Sequence, residues 1–200
     1  KCTMKQSNIK YNVNCFLRYG IEQDENASFI GVMADIYQMY SNTLFSISDM
    51  KEQIINALDI DRFSRYMNGN LIELFSSDTD SECNIELHKD SKWYNYTNSD
   101  NPDEMKTLKR ICNSYNNFIS FLRSEDSFLD HTYLWDIVCD INPKLFPKGL
   151  NLFILDIPGD DVTQNVNVVC PANQYISKLL DKNKPIALIL RKQSHYEPIY

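Results

Sequence analysis

Asp24-Glu25-Asn26-Ala27-Ser28-Phe29 opens an apolar run that continues to Tyr40, and this junction decides how the chain is read. Asp24 to Asn26 supply side chains of the kind that accept backbone N–H groups at a helix start. Behind them Phe29, Val32, Met33, Ile36, Tyr37 and Tyr40 recur every three or four residues, which makes one continuous helical stripe. The predicted helix begins at Ala27 and is apolar enough to be a core helix. Its free N–H groups and positive dipole end face back toward the Asp24–Asn26 loop. A loop running into a buried helix is a layout that activates a nucleophile, but Ala27 carries none.

The counterpart lies at the other end, in Ser194-His195-Tyr196-Glu197-Pro198-Ile199-Tyr200. Ile186 to Leu190 reads as a strand, Arg191 to Ser194 as a tight turn, and His195 to Tyr200 as the returning hairpin partner. Two residues apart on a strand, His195 and Glu197 point to the same face. A carboxylate there can accept from the imidazole and fix its tautomer. A thiol hydrolase needs a Cys at a helix N-terminus, a His to share its proton, a group to orient that His, and backbone donors for the oxyanion. Three of these four are legible here, and the thiol is not.

Between the two ends the periodicity is mainly helical. Residues 1 to 22 read as a short lead-in carrying Val13, Cys15, Phe16, Leu17, Tyr19 and Ile21. Helices are expected over Ser48–Leu58 and Asp59–Tyr66, the latter stopped by Asn68-Gly69-Asn70. Leu71–Phe75 is a short apolar piece, strand or helix. Ser76 to Asp103 reads as a polar surface excursion with an aromatic knot at Trp93, Tyr94 and Tyr96 and a short strand near Ile85–His88. Helical period returns over Met105–Arg123 and again from a His131-Thr132 cap to Ile141. Leu150–Ile157 is a dense apolar run typical of a buried strand, and Val166–Cys170 is a second strand. No repeat or linker interrupts the sequence. The expectation is one α/β (α+β) domain over 1–200, with helices packed on a small, mainly antiparallel sheet.

Composition narrows the function. Lys and Arg total 20 against 27 Asp and Glu, a net charge of −7, so general nucleic-acid binding is not expected. Lys106, Lys109, Arg110 and Arg123 form the one basic cluster, and at helical spacing that reads as a solvated face. No apolar run approaches the ~20 residues of a membrane span. The glycines are isolated, so no phosphate loop is expected. The six cysteines, Cys2, Cys15, Cys83, Cys112, Cys139 and Cys170, are widely spaced and read as reduced and structural, and no His/Cys/Asp set has zinc spacing. His88 and His131 read as a surface and a cap residue. No cofactor and no metal is expected, and the chain is read as a monomer. Lys1 in place of Met suggests an excised fragment. The richness in Asn, Lys, Ile, Tyr and Asp is the bias of an AT-rich genome.

Asp24-x-x-Ala27 followed by Phe29, with His195-Tyr196-Glu197-Pro198-Ile199, resembles the ovarian-tumour (OTU) family of cysteine deubiquitinases. That family shows Asp-Gly-Asn-Cys-hydrophobic-Phe at its nucleophile and His-aromatic-Asn/Asp near its C-terminus. Leu134-Trp135-Asp136 and Leu152–Ile157 also resemble its Trp-containing helix and following strand. The resemblance implies a papain-like fold and an isopeptidase acting on ubiquitin or a ubiquitin-like protein. It implies that Asp24 belongs to the oxyanion loop, Ala27 to the nucleophile position, His195 to the base and Glu197 to the orienting residue. The chain departs from the pattern at Glu25, at Glu197 and, above all, at Ala27. Two readings of Ala27 stay open: a Cys replaced to trap a complex, or a natural pseudoenzyme serving as an interaction module. The last third also resembles segments of large multi-domain proteins of large DNA viruses, which implies an intracellular setting, host cytoplasm or virion.

Overall fold

The computed structural model describes residues 16–21, 24–77, 83–159, 166–170 and 180–200. Cys2, Val13 and Cys15 of the expected lead-in lie outside the described residues.

Helix α1, Ser28–Ser41, is the centre of the packing. Phe29, Ile30, Val32 and Met33 are fully buried, and Ile36 nearly so, so the helix is wrapped on most of its first three turns. It ends at Asn42, whose left-handed backbone (φ 53) lets its N–H reach the Gln38 carbonyl. Helix α2, Ile47–Ala57, starts with a capping box in which Ser46 and Asp49 satisfy each other's backbone N–H. It buries Met50, Ile54 and Ile55 beside α1.

The expected Asp59–Tyr66 helix is broken up. A short α3, Ile60–Phe63, gives way to a 3-10 turn at Tyr66–Gly69, and α4 follows over Asn70–Leu74. Met67 and Asn68 take left-handed backbones (φ 51 and 58) before Gly69, which ends the helical run where the Asn68-Gly69-Asn70 stop was expected. The expected strand near Ile85–His88 is instead a 3-10 turn. Asn84 explains it, because its side chain accepts the Glu86 N–H and curls the chain at the point where a strand would extend. The aromatic knot is helix α5, Lys92–Tyr96, capped by Ser91. Helix α6, Pro102–Arg123, carries Pro at its start, Asp103 and Glu104 in its first turn and Arg123 in its last, each where the helix ends favour it. Helix α7, His131–Cys139, is capped by Asp130 rather than by His131 and Thr132.

The strands are β1 Asn151–Ile157, β2 Asn167–Val169, β3 Ile186–Lys192 and β4 His195–Ile199, in the spatial order β2-β1-β3-β4. The expectation of a mainly antiparallel sheet holds at the two flanks, β1 with β2 and β3 with β4. It fails at the centre, where β1 and β3 run parallel with Ile154 opposite Ile189. Twenty-eight residues separate those two strands in sequence, enough for the crossover that a parallel pair requires. The sheet is therefore mixed, and the fold is helices packed on a small mixed sheet.

One buried cluster runs from α1 through Phe63, Phe118, Leu134 and Ile154 to Tyr196. Phe29 and Tyr196 meet edge to face at 5.3 Å, a contact worth about 0.5–1.5 kcal/mol beyond its area. A smaller cluster gathers Ile60, Ile111 and Cys112 nearer the N-terminal end of α6. No helix among the described residues is long and apolar enough to cross a membrane.

Candidate functional site

Asp24 organises the first half of the site. Its Oδ1 accepts the backbone N–H of Asn26 at 2.8 Å and of Ala27 at 2.7 Å. Ala27 is the N-cap of α1 and has no capping side chain of its own, so Asp24 caps from three residues upstream. The loop is pinned from behind, because the Asn26 carbonyl accepts the Leu129 N–H at 2.7 Å. Ala27 itself is 1% exposed, so position 27 is packed rather than held out to solvent.

Ser28 joins this loop to the far end of the chain. Its hydroxyl donates to the Ser194 carbonyl at 3.1 Å and accepts the Tyr196 N–H at 3.3 Å. His195 is the residue between those two contacts. The hydrogen bonds exploit a regularity of β4: Ser194, Tyr196, Pro198 and Tyr200 turn their backbone groups to the outer edge of the sheet. At the Pro198–Tyr200 end that edge is met by Leu17 and Tyr19, through Tyr19 N–H to Pro198 and reciprocal bonds between Leu17 and Tyr200. At the His195 end it is met by the Ser28 hydroxyl. An exposed edge is thereby covered, and Pro198 accepts from Tyr19 on this edge strand but has no N–H to return.

His195 and Glu197 share one face of β4, as their spacing predicted. The His195 Nε2 lies 3.6 Å from Glu197 Oε1, with the imidazole side chain 41% exposed and the carboxylate 18%. Nε2 facing the carboxylate leaves Nδ1 as the nitrogen that could exchange a proton with a neighbour. Glu197 is shared, because Arg18 forms an ion pair with its other oxygen. The hairpin turn itself depends on Gln193, whose φ of 57 supplies the left-handed residue a two-residue turn requires.

The Ser28 bridge thus brings the β4 backbone on either side of His195 to the start of α1, where Asp24 caps Ala27, although Ser28 and Tyr196 are 168 positions apart in sequence. What the arrangement can do chemically is limited at one atom. The methyl of Ala27 has no proton to give, and the Ala27 N–H already serves the Asp24 carboxylate. Ser28 does not substitute: its hydroxyl is buried and committed to two backbone groups. The free thiols among the described residues are Cys139 and Cys170. Burial pushes the Cys139 thiol up to about 12, which keeps it protonated and inert. Cys170 is exposed just after β2.

Two parts of the surroundings were not legible in the sequence. His131 is not a cap: it is largely buried, and its Nδ1 lies 2.7 Å from the Tyr196 hydroxyl. Burial holds its imidazole below the ordinary value, with Asp130 pulling the other way. Ser28 gave one faint signal, as the lone polar residue between Ala27 and Asp35. The reading of Cys83, His88 and Cys112 as separate structural and surface residues is corrected. Cys83 and Cys112 are paired as a disulfide, and the ligand atoms of all three residues lie within 4.8 Å of one another. Cys112 is 29 residues from Cys83, a spacing that carries no local motif. In the basic cluster, Arg110 pairs with Glu73 and Arg123 with Glu52, so half of that stripe is neutralised locally.

No protein-family profile and no solved structure matches the chain. It is similar to an uncharacterized protein of Acanthamoeba polyphaga mimivirus, at 20% identity over 145 residues. The match takes in 68% of this chain and 9% of the viral protein, so the chain spans about a tenth of that relative's length.

Proposed function

We propose that this is a domain of the ovarian-tumour deubiquitinase type that recognises ubiquitin or a ubiquitin-like protein and, with Ala27 at the nucleophile position, does not cleave it. The observation that carries the reading is the Ser28 bridge. It hydrogen-bonds the backbone on both sides of His195, at Ser194 and Tyr196, and so brings that stretch of β4 to the start of α1. Glu197, 3.6 Å from the ring, supplies the orienting carboxylate. A thiol at position 27 would sit at the N-cap of a buried helix, where the dipole favours the thiolate.

The experiment is Ala27→Cys treated with a ubiquitin bearing an electrophile at its C-terminus. A covalent adduct is expected with Ala27→Cys and not with the double variant Ala27→Cys/His195→Ala. A folded Ala27→Cys protein that forms no adduct and leaves ubiquitin chains intact would overturn the cleavage frame.

A second reading is favoured by a specific feature: the domain is a natural interaction module that never cleaves. Asp24 occupies the Ala27 N–H, a group an oxyanion would need, and Ala27 is packed at 1% exposure. Ubiquitin binding by the unmodified chain together with an unreactive Ala27→Cys would select this reading.

A further inference from the structure

A two-thiol, one-imidazole cluster sits apart from the site described above, against the N-terminal half of α6. Cys112 is fully buried in the second turn-pair of that helix, and Cys83 approaches it from the segment before α5, with Cα atoms 6.1 Å apart. The 3-10 turn Ile85–His88 then folds His88 back over the pair, where its ring meets the edge of Tyr115 at 5.5 Å. A disulfide alone accounts for the two sulfurs. It does not account for an imidazole nitrogen within 4.8 Å of both.

We propose that, once a thiol or phosphine reductant has opened the Cys83–Cys112 disulfide to two thiols, Cys83, His88 and Cys112 form a binding site for a zinc-class divalent cation. Ligands on a tetrahedral zinc stand about 2.0–2.3 Å from the metal and therefore roughly 3.5–4 Å from each other. A set already within 4.8 Å reaches that arrangement by small side-chain rotations. Charge points the same way. Two thiolates and one neutral imidazole around a dipositive ion form a complex of net charge zero. Such a complex suits its bed of Ile60, Ile111, Ile72, Ile85 and Tyr115, where an uncompensated charge would be costly. The Asn116 amide, 3.6 Å from Cys83 Sγ, is placed to donate to a thiolate, the outer contact that metal-bound sulfur commonly has. The fourth position falls toward solvent, because Cys83 and His88 are both only half-buried.

The test uses the whole chain purified with a non-thiol reductant and no chelator. Zinc released by a thiol-blocking mercurial is expected at about one equivalent per chain. Cobalt(II) in its place is expected to give a near-ultraviolet thiolate charge-transfer band and visible bands of four-coordinate intensity. Cys83→Ser, chosen because Cys83 is partly exposed and its loss spares the core, should cut the charge-transfer band to about half and weaken cobalt binding at least tenfold. His88→Ala should leave the charge-transfer band but shift the visible bands and weaken binding at least tenfold. No metal taken up by protein whose Cys83 and Cys112 are shown to be free thiols by alkylation and peptide mapping would overturn the proposal. Cobalt spectra and affinity unchanged by His88→Ala would overturn it equally.

Discussion

The Ser28 hydroxyl accepts the Tyr196 N–H at 3.3 Å, across 168 residues of sequence, and so fastens the first buried helix to the last strand. With the companion bond to Ser194 at 3.1 Å, it fixes the backbone on both sides of His195. Removing it should be costly, because both backbone partners are then left without a hydrogen bond. Ser28→Ala is expected to lower stability by about 1–3 kcal/mol. Urea unfolding measures that loss, and faster amide exchange at Tyr196 would locate it. Unchanged exchange at Tyr196 would show that the bridge does not hold the hairpin.

Glu197 divides its carboxylate between Arg18 and His195. The Arg18 side chain is 55% exposed, so its pairing with Glu197 is screened by solvent and by salt. A double-mutant cycle on Arg18→Ala and Glu197→Gln is expected to give a coupling below about 1 kcal/mol, shrinking further at high salt. A larger coupling that persists in salt would mean the pair is more shielded than its exposure implies.

Gly149 lies at the turn between α7 and β1 with φ 66. A Cβ there would crowd the Cys139 carbonyl oxygen and stand 3.2 Å from the carbonyl group of Asp140, both rigid backbone. Gly149→Ala is expected to cost at least about 2 kcal/mol, from the left-handed backbone together with the clash. Gly159, also at positive φ (68) but with open space around it, should lose only the conformational part, about 1 kcal/mol. Thermal unfolding of the two variants side by side separates clash from handedness.

His131 faces the Tyr196 hydroxyl, with Asp130, Arg191 and Asp156 as the charges around it. Burial is the largest influence and depresses its folded pKa below the ordinary 6.5. The sign follows directly: the unfolded chain binds this proton more tightly, so the contribution is present above 6.5 and is lost as pH falls through the folded pKa. The wild-type urea midpoint should decline between about pH 7.5 and about pH 5.5, and His131→Gln should flatten that decline. Equal slopes in the two proteins would assign the pH dependence elsewhere.

Much of the architecture was written in local pattern. The three-and-four spacing of Phe29, Val32, Met33 and Ile36 specified α1, and the alternation of His195, Tyr196 and Glu197 specified both the last strand and which side chains share its face. Capping residues marked helix starts because a side-chain oxygen satisfies a nearby N–H within a few residues, and that is readable without any partner. Where a competing local bond existed, as with Asn84 at Ile85–His88, the strand reading failed, because β-structure gains its hydrogen bonds only from a neighbour the sequence does not name. The parallel pairing of β1 with β3 was hidden for the same reason. So were the Ser28 bridge, the burial of His131 and the meeting of Cys83, His88 and Cys112. Each joins residues that share no helical or strand period, and only the packing of the whole chain brings them within bonding distance.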